Sequence, residues 1–214
     1  MHRHLLDNTI RVDAVPADRS APLPRRLARA LGPVILVSLT VPIQATSPWR
    51  LQAGDPMPPV TGSLLTGQRA TLPAASAGRT TLILMGFTYE SRHPVEAWGN
   101  WFRAATAGRS GVTFFEVPMI GGMARLGRWF IDRGMRKGTP EALHGNVLTV
   151  YGDTGAWKER LGVTDVNKDD AFLILLDRNG VIQWQYQGAF DAGTAETLQG
   201  LLISLSGPIN GDGD

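Results

Sequence analysis

Six consecutive residues, Thr88-Tyr89-Glu90-Ser91-Arg92-His93, hold the densest set of reactive side chains in the chain. They stand between an apolar run ending at Phe87 and Pro94, a residue suited to the first turn of a helix. A hydroxyl near an imidazole is the raw material of a nucleophile–base pair, and Glu90 adds a carboxylate. Residues two apart do not face each other on a helix, although a turn can bring them together. No acid is evidently placed to orient the imidazole. The plainer reading makes Ser91 a helix cap and His93 a solvated first-turn residue, since a general base must lie within hydrogen-bond reach.

Other chemistries are excluded or poorly supported. The chain of 214 residues contains no cysteine, so disulfides, thiolate nucleophiles and cysteine metal ligands are impossible. The histidines (His2, His4, His93 and His144) form no zinc-type pair in the part expected to fold. Asp165-Val166-Asn167-Lys168-Asp169 begins like a calcium loop. Its sixth position is Asp170 instead of glycine and its twelfth is Leu176 instead of glutamate, so it reads as a polar loop. No glycine-rich phosphate or dinucleotide loop is present, and we expect neither metal nor cofactor.

Charge is distributed unevenly. Residues 1–50 carry seven arginines against three aspartates, whereas residues 51–214 carry 14 basic and 16 acidic residues. The part expected to fold is not basic, which disfavours nucleic acid as a partner. One local exception is the stretch 122–137, where Arg125, Arg128, Arg133, Arg136 and Lys137 surround Met123, Leu126, Trp129 and Phe130 with only Asp132 opposing. A basic amphipathic helix of this kind can lie on an anionic membrane surface or dock a partner. Arg125, Arg128, Trp129, Arg133, Arg136 and Lys137 are therefore candidate partner-binding residues. The alternative is a surface helix whose apolar side, with Met123, Leu126 and Phe130, faces the domain core.

These residues need a scaffold, and hydrophobic patterning supplies it. A hydrophobic content of 43% is that of a globular chain. Glycine and proline spacing over 54–81 suggests a small hairpin preceding the main sheet. Thr81–Phe87 and Ala171–Leu176 are continuous apolar runs, as in strands covered on both faces. Val95, Trp98 and Phe102 repeat at helical spacing, with Trp98 and Trp101 read as core and groove wall. Val112–Val117 is the next strand, stopped by Pro118, and completes a right-handed βαβ unit. Thr139-Pro140-Glu141 opens a short helix by cap and proline, and Val147–Tyr151 is a short strand. Asp153 caps a helix containing Trp157 and Leu161. Asp177-Arg178-Asn179-Gly180 is a hairpin turn, followed by a strand over Val181–Tyr186 and a last helix over about 194–205.

The first 50 residues read differently. Arg25-Arg26-Leu27-Ala28-Arg29 precedes an apolar stretch, Val34–Val41, and the small residue Ala45. This is a secretory signal pattern, shorter than the ~20 residues a membrane span needs. We expect an exported or membrane-associated protein on the periplasmic side. An uncleaved anchor, a mitochondrial presequence in a eukaryotic source and a buried N-terminal strand are the alternatives. Asp7, Asp13 and Asp18 count against the presequence.

The order β-α-β, helical insert, β-hairpin, helix resembles the thioredoxin-like superfamily. The lead-in Gly54-Asp55-Pro56, the Gly67 turn, Thr71-Leu72 and Gly78 resemble peroxiredoxin-like and thiol–disulfide oxidoreductase domains, as does the closing hairpin Phe172–Gly180. The resemblance implies an α/β fold, a central mixed β-sheet flanked by helices, with a helical insert. It covers most of residues 54–205, within a domain expected over 51–207 between a poorly ordered leader (1–50) and a disordered tail (208–214). Within the superfamily the chain is most similar to the mitochondrial ATP synthase assembly factor branch. The matching pieces are Phe87 with its polar turn, Trp98 to Phe102, Met135-Arg136-Lys137-Gly138-Thr139-Pro140-Glu141, Trp157 to Gly162, and Ile182-Gln183-Trp184. It departs from that branch at Gln183 and at Gln185-Tyr186.

The resemblance puts the former redox site at Thr88, Tyr89, Glu90 and Ser91, where redox members carry two cysteines at a helix N-terminus. The loop that carries a cis-proline in those members falls at Asp169 and Asp170, where a trans bond is expected. The implied function is a non-catalytic assembly or chaperone-like factor acting on a membrane-protein subunit, in ATP synthase assembly. A thiol-free enzyme using Ser91, His93 or Glu90, and a ligand- or peptide-binding module on the same groove, are the alternatives.

Overall fold

Two wholly buried strands lie side by side at the heart of the sheet. In the computed structural model, which describes residues 49–122, 127–152 and 154–206, these are β3 (Thr80–Gly86) and β6 (Ala171–Leu176). They pair antiparallel, with Leu84 opposite Leu173 and Met85 opposite Phe172. Their apolar runs have no polar face because helices and loops cover both sides.

Around them the chain adds β1 (Val60–Leu64), β2 (Arg69–Leu72), β4 (Val112–Ile120), β5 (Leu148–Tyr151) and β7 (Ile182–Gly188). The seven-stranded order is β2-β1-β5-β4-β3-β6-β7. The β3–β4 and β4–β5 pairs are parallel and the others antiparallel. The expected N-terminal hairpin is present, but it does not stand apart, because β1 pairs with β5 and extends the same sheet.

Helices α1 (Arg92–Ala105) and α4 (Ala192–Ser206) cover one face. There Val95, Trp98, Phe102, Ala195, Leu198 and Leu202 pack on Leu82, Leu84, Phe114, Leu173 and Leu175. Asp191 starts α4 by accepting the Thr194 amide at 2.7 Å, a contact that lowers its carboxyl pKa. The other face is closed by α3 (Gly155–Arg160) and by the lead-in segment, through Trp157, Leu161, Trp49 and Leu51. Trp49 already packs on Phe172 with ring centroids 5.9 Å apart, and the Arg50 amide bonds the Arg160 carbonyl.

Three expectations change. Pro118 does not stop β4, which runs on to Ile120. It lies opposite Gly86, the last residue of β3, where the ladder is ending, so its missing N–H costs the sheet little. Thr139 does not cap the next element: Pro140 occupies that position before a 3-10 turn over Glu141–Asn146. The described part of the insert forms α2 over Arg128–Gly138, which fully buries no residue and half-buries Ile131 and Met135, so its aromatic rings do not face the core. Met123, Arg125, Leu126, Asp153, most of the leader and the tail lie outside the described residues.

The turn between β6 and β7 is held from both sides. Asp177 accepts the amides of Asn179 and Val181, and the Gly180 carbonyl accepts the Met57 amide. Gly180 has φ +80°, and a Cβ there would sit 2.7 Å from Pro73 Cγ. Gly180→Ala should therefore lower stability by about 1–3 kcal/mol, through left-handed strain plus the clash. A shift of the urea midpoint checks it, and an unchanged midpoint would show that the turn relaxes freely.

Candidate functional site

The β3–β6 pairing decides what meets at the position expected for the redox site. β3 ends at Gly86 and β6 begins at Ala171, with Met85 opposite Phe172, so the loop after β3 and the loop before β6 emerge together. Thr88 and Asp169, distant in sequence, are joined there by a hydrogen bond from Thr88 Oγ1 to Asp169 Oδ1 at 2.6 Å.

Ser91 closes the arrangement. Its Oγ donates to the Thr88 carbonyl at 2.8 Å and accepts the Thr88 amide at 3.2 Å, while its amide donates to Thr88 Oγ1 at 3.1 Å. Ser91 is 1% exposed. It occupies the N-cap position of α1, yet its hydroxyl bonds backward to Thr88 and not forward to the helix amides. Gly86 makes room for it, since a Cβ at Gly86 would lie 2.6 Å from Ser91 Oγ. Asp170 accepts Gln187 Nε2 at 2.8 Å, tying the β6 approach to β7. The bonds entering Asp169 and Asp170 are trans, as expected; among the described residues the only cis bond is Leu72–Pro73.

The other residues of the turn face outward. Tyr89 is 76% exposed, with the Arg92 guanidinium stacked 3.5 Å from its ring centroid. Glu90 and His93 sit together on the surface, Oε2 to Nε2 3.9 Å. Ser91 and His93 do not meet: the serine is sealed beneath Thr88, whereas the imidazole is mostly solvated and beside Glu90. A buried hydroxyl donating to a backbone carbonyl has no base to activate it. The polar loop 165–169 is internally satisfied, with Asn167 Oδ1 accepting the Thr164 amide and Asn167 Nδ2 donating to the Gly162 carbonyl.

The insert divides into two faces. Arg128 Nη2 donates to Ser63 Oγ at 2.8 Å, its guanidinium stacks on Tyr151, and Arg136 Nε donates to the Leu65 carbonyl at 2.7 Å. Asp132 accepts the Tyr151 hydroxyl at 2.6 Å. Burial first, then that bond, raise the phenol pKa above its ordinary range. Arg128 and Arg136 are thus engaged within the domain, while Trp129, Arg133 and Lys137 remain on the surface with Phe130. Arg125 lies outside the described residues.

One ionisable residue was not singled out in the sequence. Glu116 lies on β4 beneath α1, where a Cβ on Gly99 would come 2.8 Å from its Oε1. Burial first, then the charge of Glu96, push its carboxyl up to about 7, against a smaller opposing effect of Arg103. The only sequence signal was a lone carboxylate within Phe114-Phe115-Glu116-Val117.

No known sequence family matches the chain, and neither does any curated protein. Solved structures do match. A protein assigned as the thiol:disulfide interchange protein DsbE from Chlorobium tepidum is 19% identical, with TM-score 0.51, covering 73% of this chain and 99% of that one. The thioredoxin domain of a thiol-disulfide oxidoreductase from Bacteroides vulgatus is 17% identical, with TM-score 0.50, covering 71% and 99%. A protein assigned as a disulfide isomerase from Bacteroides thetaiotaomicron is 12% identical, with TM-score 0.51, covering 73% and 92%. The fold is thioredoxin-like, a mixed central sheet flanked by helices. The chain carries that fold without the cysteines that thiol chemistry requires.

Two outcomes follow for stability. Ser91→Ala removes the acceptor of the half-buried Thr88 amide and should cost about 1–3 kcal/mol by chemical denaturation. A neutral result would mean that water replaces the hydroxyl. Glu116 has a folded pKa raised above its ordinary 4.5, so the fold disfavours its charged form. Its penalty is absent below pH 4.5 and grows as pH rises to about 7. Glu116→Gln should flatten that dependence and gain ~2 kcal/mol over wild type at mildly alkaline pH, a value reduced for partial exposure. Parallel stability–pH curves for the two proteins would refute the burial argument.

Proposed function

We propose that the protein is a non-catalytic thioredoxin-fold factor that holds a membrane-protein partner, acting in an assembly or chaperone-like role on the exported side of a membrane. The observation that carries this reading is the closure of the redox position: Thr88, Ser91 and Asp169 satisfy one another, and the reactive group of the fold is replaced by a structural clasp. What remains accessible is a recognition surface. Tyr89 and Arg92 form an exposed stacked pair at the rim, and the insert helix displays Trp129 and Phe130.

The signal-like leader supports export, as does fold similarity to a DsbE-assigned protein. The sequence resemblance to the ATP synthase assembly branch makes membrane subunits of that enzyme the first partners to test. Among the described residues no helix is long and apolar enough to cross a membrane. A thiol-free enzyme is the weaker reading, because the Ser91 hydroxyl is buried and bonded to a carbonyl, away from the solvated His93.

The test is a photo-crosslinking amino acid at Tyr89 in the full chain, expressed in its native cells, followed by membrane solubilisation. Recovery of a discrete membrane-protein adduct is expected. A chain found wholly in the soluble fraction without any adduct would overturn the assignment.

A further inference from the structure

The two faces of α2 differ in a way that packing on the domain does not explain. Its inward side carries Arg128, Asp132 and Arg136, each bonded to the β1–β5 region by a hydrogen bond: to Ser63, from Tyr151 and to the Leu65 carbonyl, respectively. At the helical repeat of about 100° per residue, Ile131 and Met135 share the inward side and are half-buried, whereas Phe130, Arg133, Gly134 and Lys137 form the outward side, with Trp129 at its edge beside Arg136. That side holds two aromatic rings, 62% and 73% exposed, in edge-to-face contact at 4.8 Å. It holds two cations, with the Arg133 guanidinium 5.5 Å from the Trp129 ring centroid. It holds no acid, because Asp132, the only acidic residue of the helix, is turned inward to Tyr151.

Large aromatic rings left this exposed on a charged helix mark an interaction surface, since burying them is worth far more than solvating them. The charge pattern selects the occupant. A second copy of the same face would set cation against cation. The surface is one convex helix without any buried residue, so it offers no groove for a peptide. Indole and phenyl rings beside arginine and lysine match the headgroup layer of a bilayer, where aromatic rings settle at the interface and cations meet anionic lipids.

We infer that the outward face of α2 is a lipid-contact surface, which seats Trp129 and Phe130 in the interface of a bilayer containing anionic lipids while Arg133 and Lys137 pair with the headgroups. This assignment rests on the reading that the protein works at a membrane, and it gives that protein an orientation: α2 toward the bilayer.

The experiment uses the full chain and protein-free vesicles of phosphatidylcholine, with or without phosphatidylglycerol, carrying brominated acyl chains that quench tryptophan at the interface. Expected is a quenched component that requires phosphatidylglycerol, weakens with salt and disappears in Trp129→Phe. Arg133→Glu with Lys137→Glu should lower vesicle affinity at least about tenfold. Unchanged circular dichroism would show that these exposed substitutions leave the fold intact. Equal quenching of wild type and Trp129→Phe would overturn the inference, even if the leader tethers the chain to the vesicle. So would vesicle affinity unaffected by the charge reversal. A Tyr89 adduct that persists in those cases would leave the partner-holding reading standing while the lipid assignment fails. A chain that ignores vesicles but loses its membrane-protein adduct on charge reversal would reassign the face to an acidic protein.

Discussion

The pairing of β3 with β6 is the constraint from which the rest of the molecule follows. Both strands are buried along their whole length, and each gains most of its stability from being covered on two faces. Antiparallel pairing of Met85 with Phe172 then forces the segment leaving β3 and the segment entering β6 to the same end of the sheet. In a redox thioredoxin fold that juxtaposition places a reactive thiol beside its neighbouring loop. Here it places Thr88 against Asp169. At that juxtaposition polar side chains bond to one another. Gly86 belongs to this solution, because any side chain there would collide with Ser91.

The change of residue type decides the chemistry more strongly than the change of geometry. The positive end of a helix stabilises an anion, and a thiol lies close enough to ionisation for that to matter. A serine hydroxyl does not, so the same helix terminus can offer it only hydrogen bonds. Ser91 takes them from Thr88 and loses its contact with water. A buried group that is fully bonded contributes rigidity in place of reactivity. This is why the same position that makes other folds of this kind oxidoreductases reads here as a fastening between two loops.

Legibility in the sequence tracked how much each element depends on apolar burial. The runs of β3 and β6 and the Val95, Trp98, Phe102 spacing of α1 were readable because those residues face a core. Thr88, Ser91 and Asp169 were identified as one site through fold resemblance, but the bond from Thr88 to Asp169 depends on strand register, which spacing alone does not reveal. Glu116 passed unnoticed for a related reason: it is a carboxylate at a position whose burial is set by Gly99 crossing above it on α1. The insert departs from its core-facing alternative. Amphipathic helices usually press apolar residues inward, whereas α2 is anchored by Arg128, Asp132 and Arg136 and leaves its rings outside.

That inversion has a thermodynamic logic. Hydrogen bonds to Ser63, Tyr151 and the Leu65 carbonyl, beside the half-buried Ile131 and Met135, hold the helix without using its aromatic rings. Each such contact is modest by itself, about 1 kcal/mol net, and stacking of Arg128 on Tyr151 adds a similar amount. Anchoring through polar atoms releases Trp129 and Phe130 from packing on the domain. Turning Asp132 inward removes from the outer face the one charge that would oppose Arg133 and Lys137. The same bond therefore fixes the helix and determines the sign of its exposed side. A thioredoxin-like fold without cysteine carries, along its insert, a surface whose composition suits contact with something anionic and partly apolar.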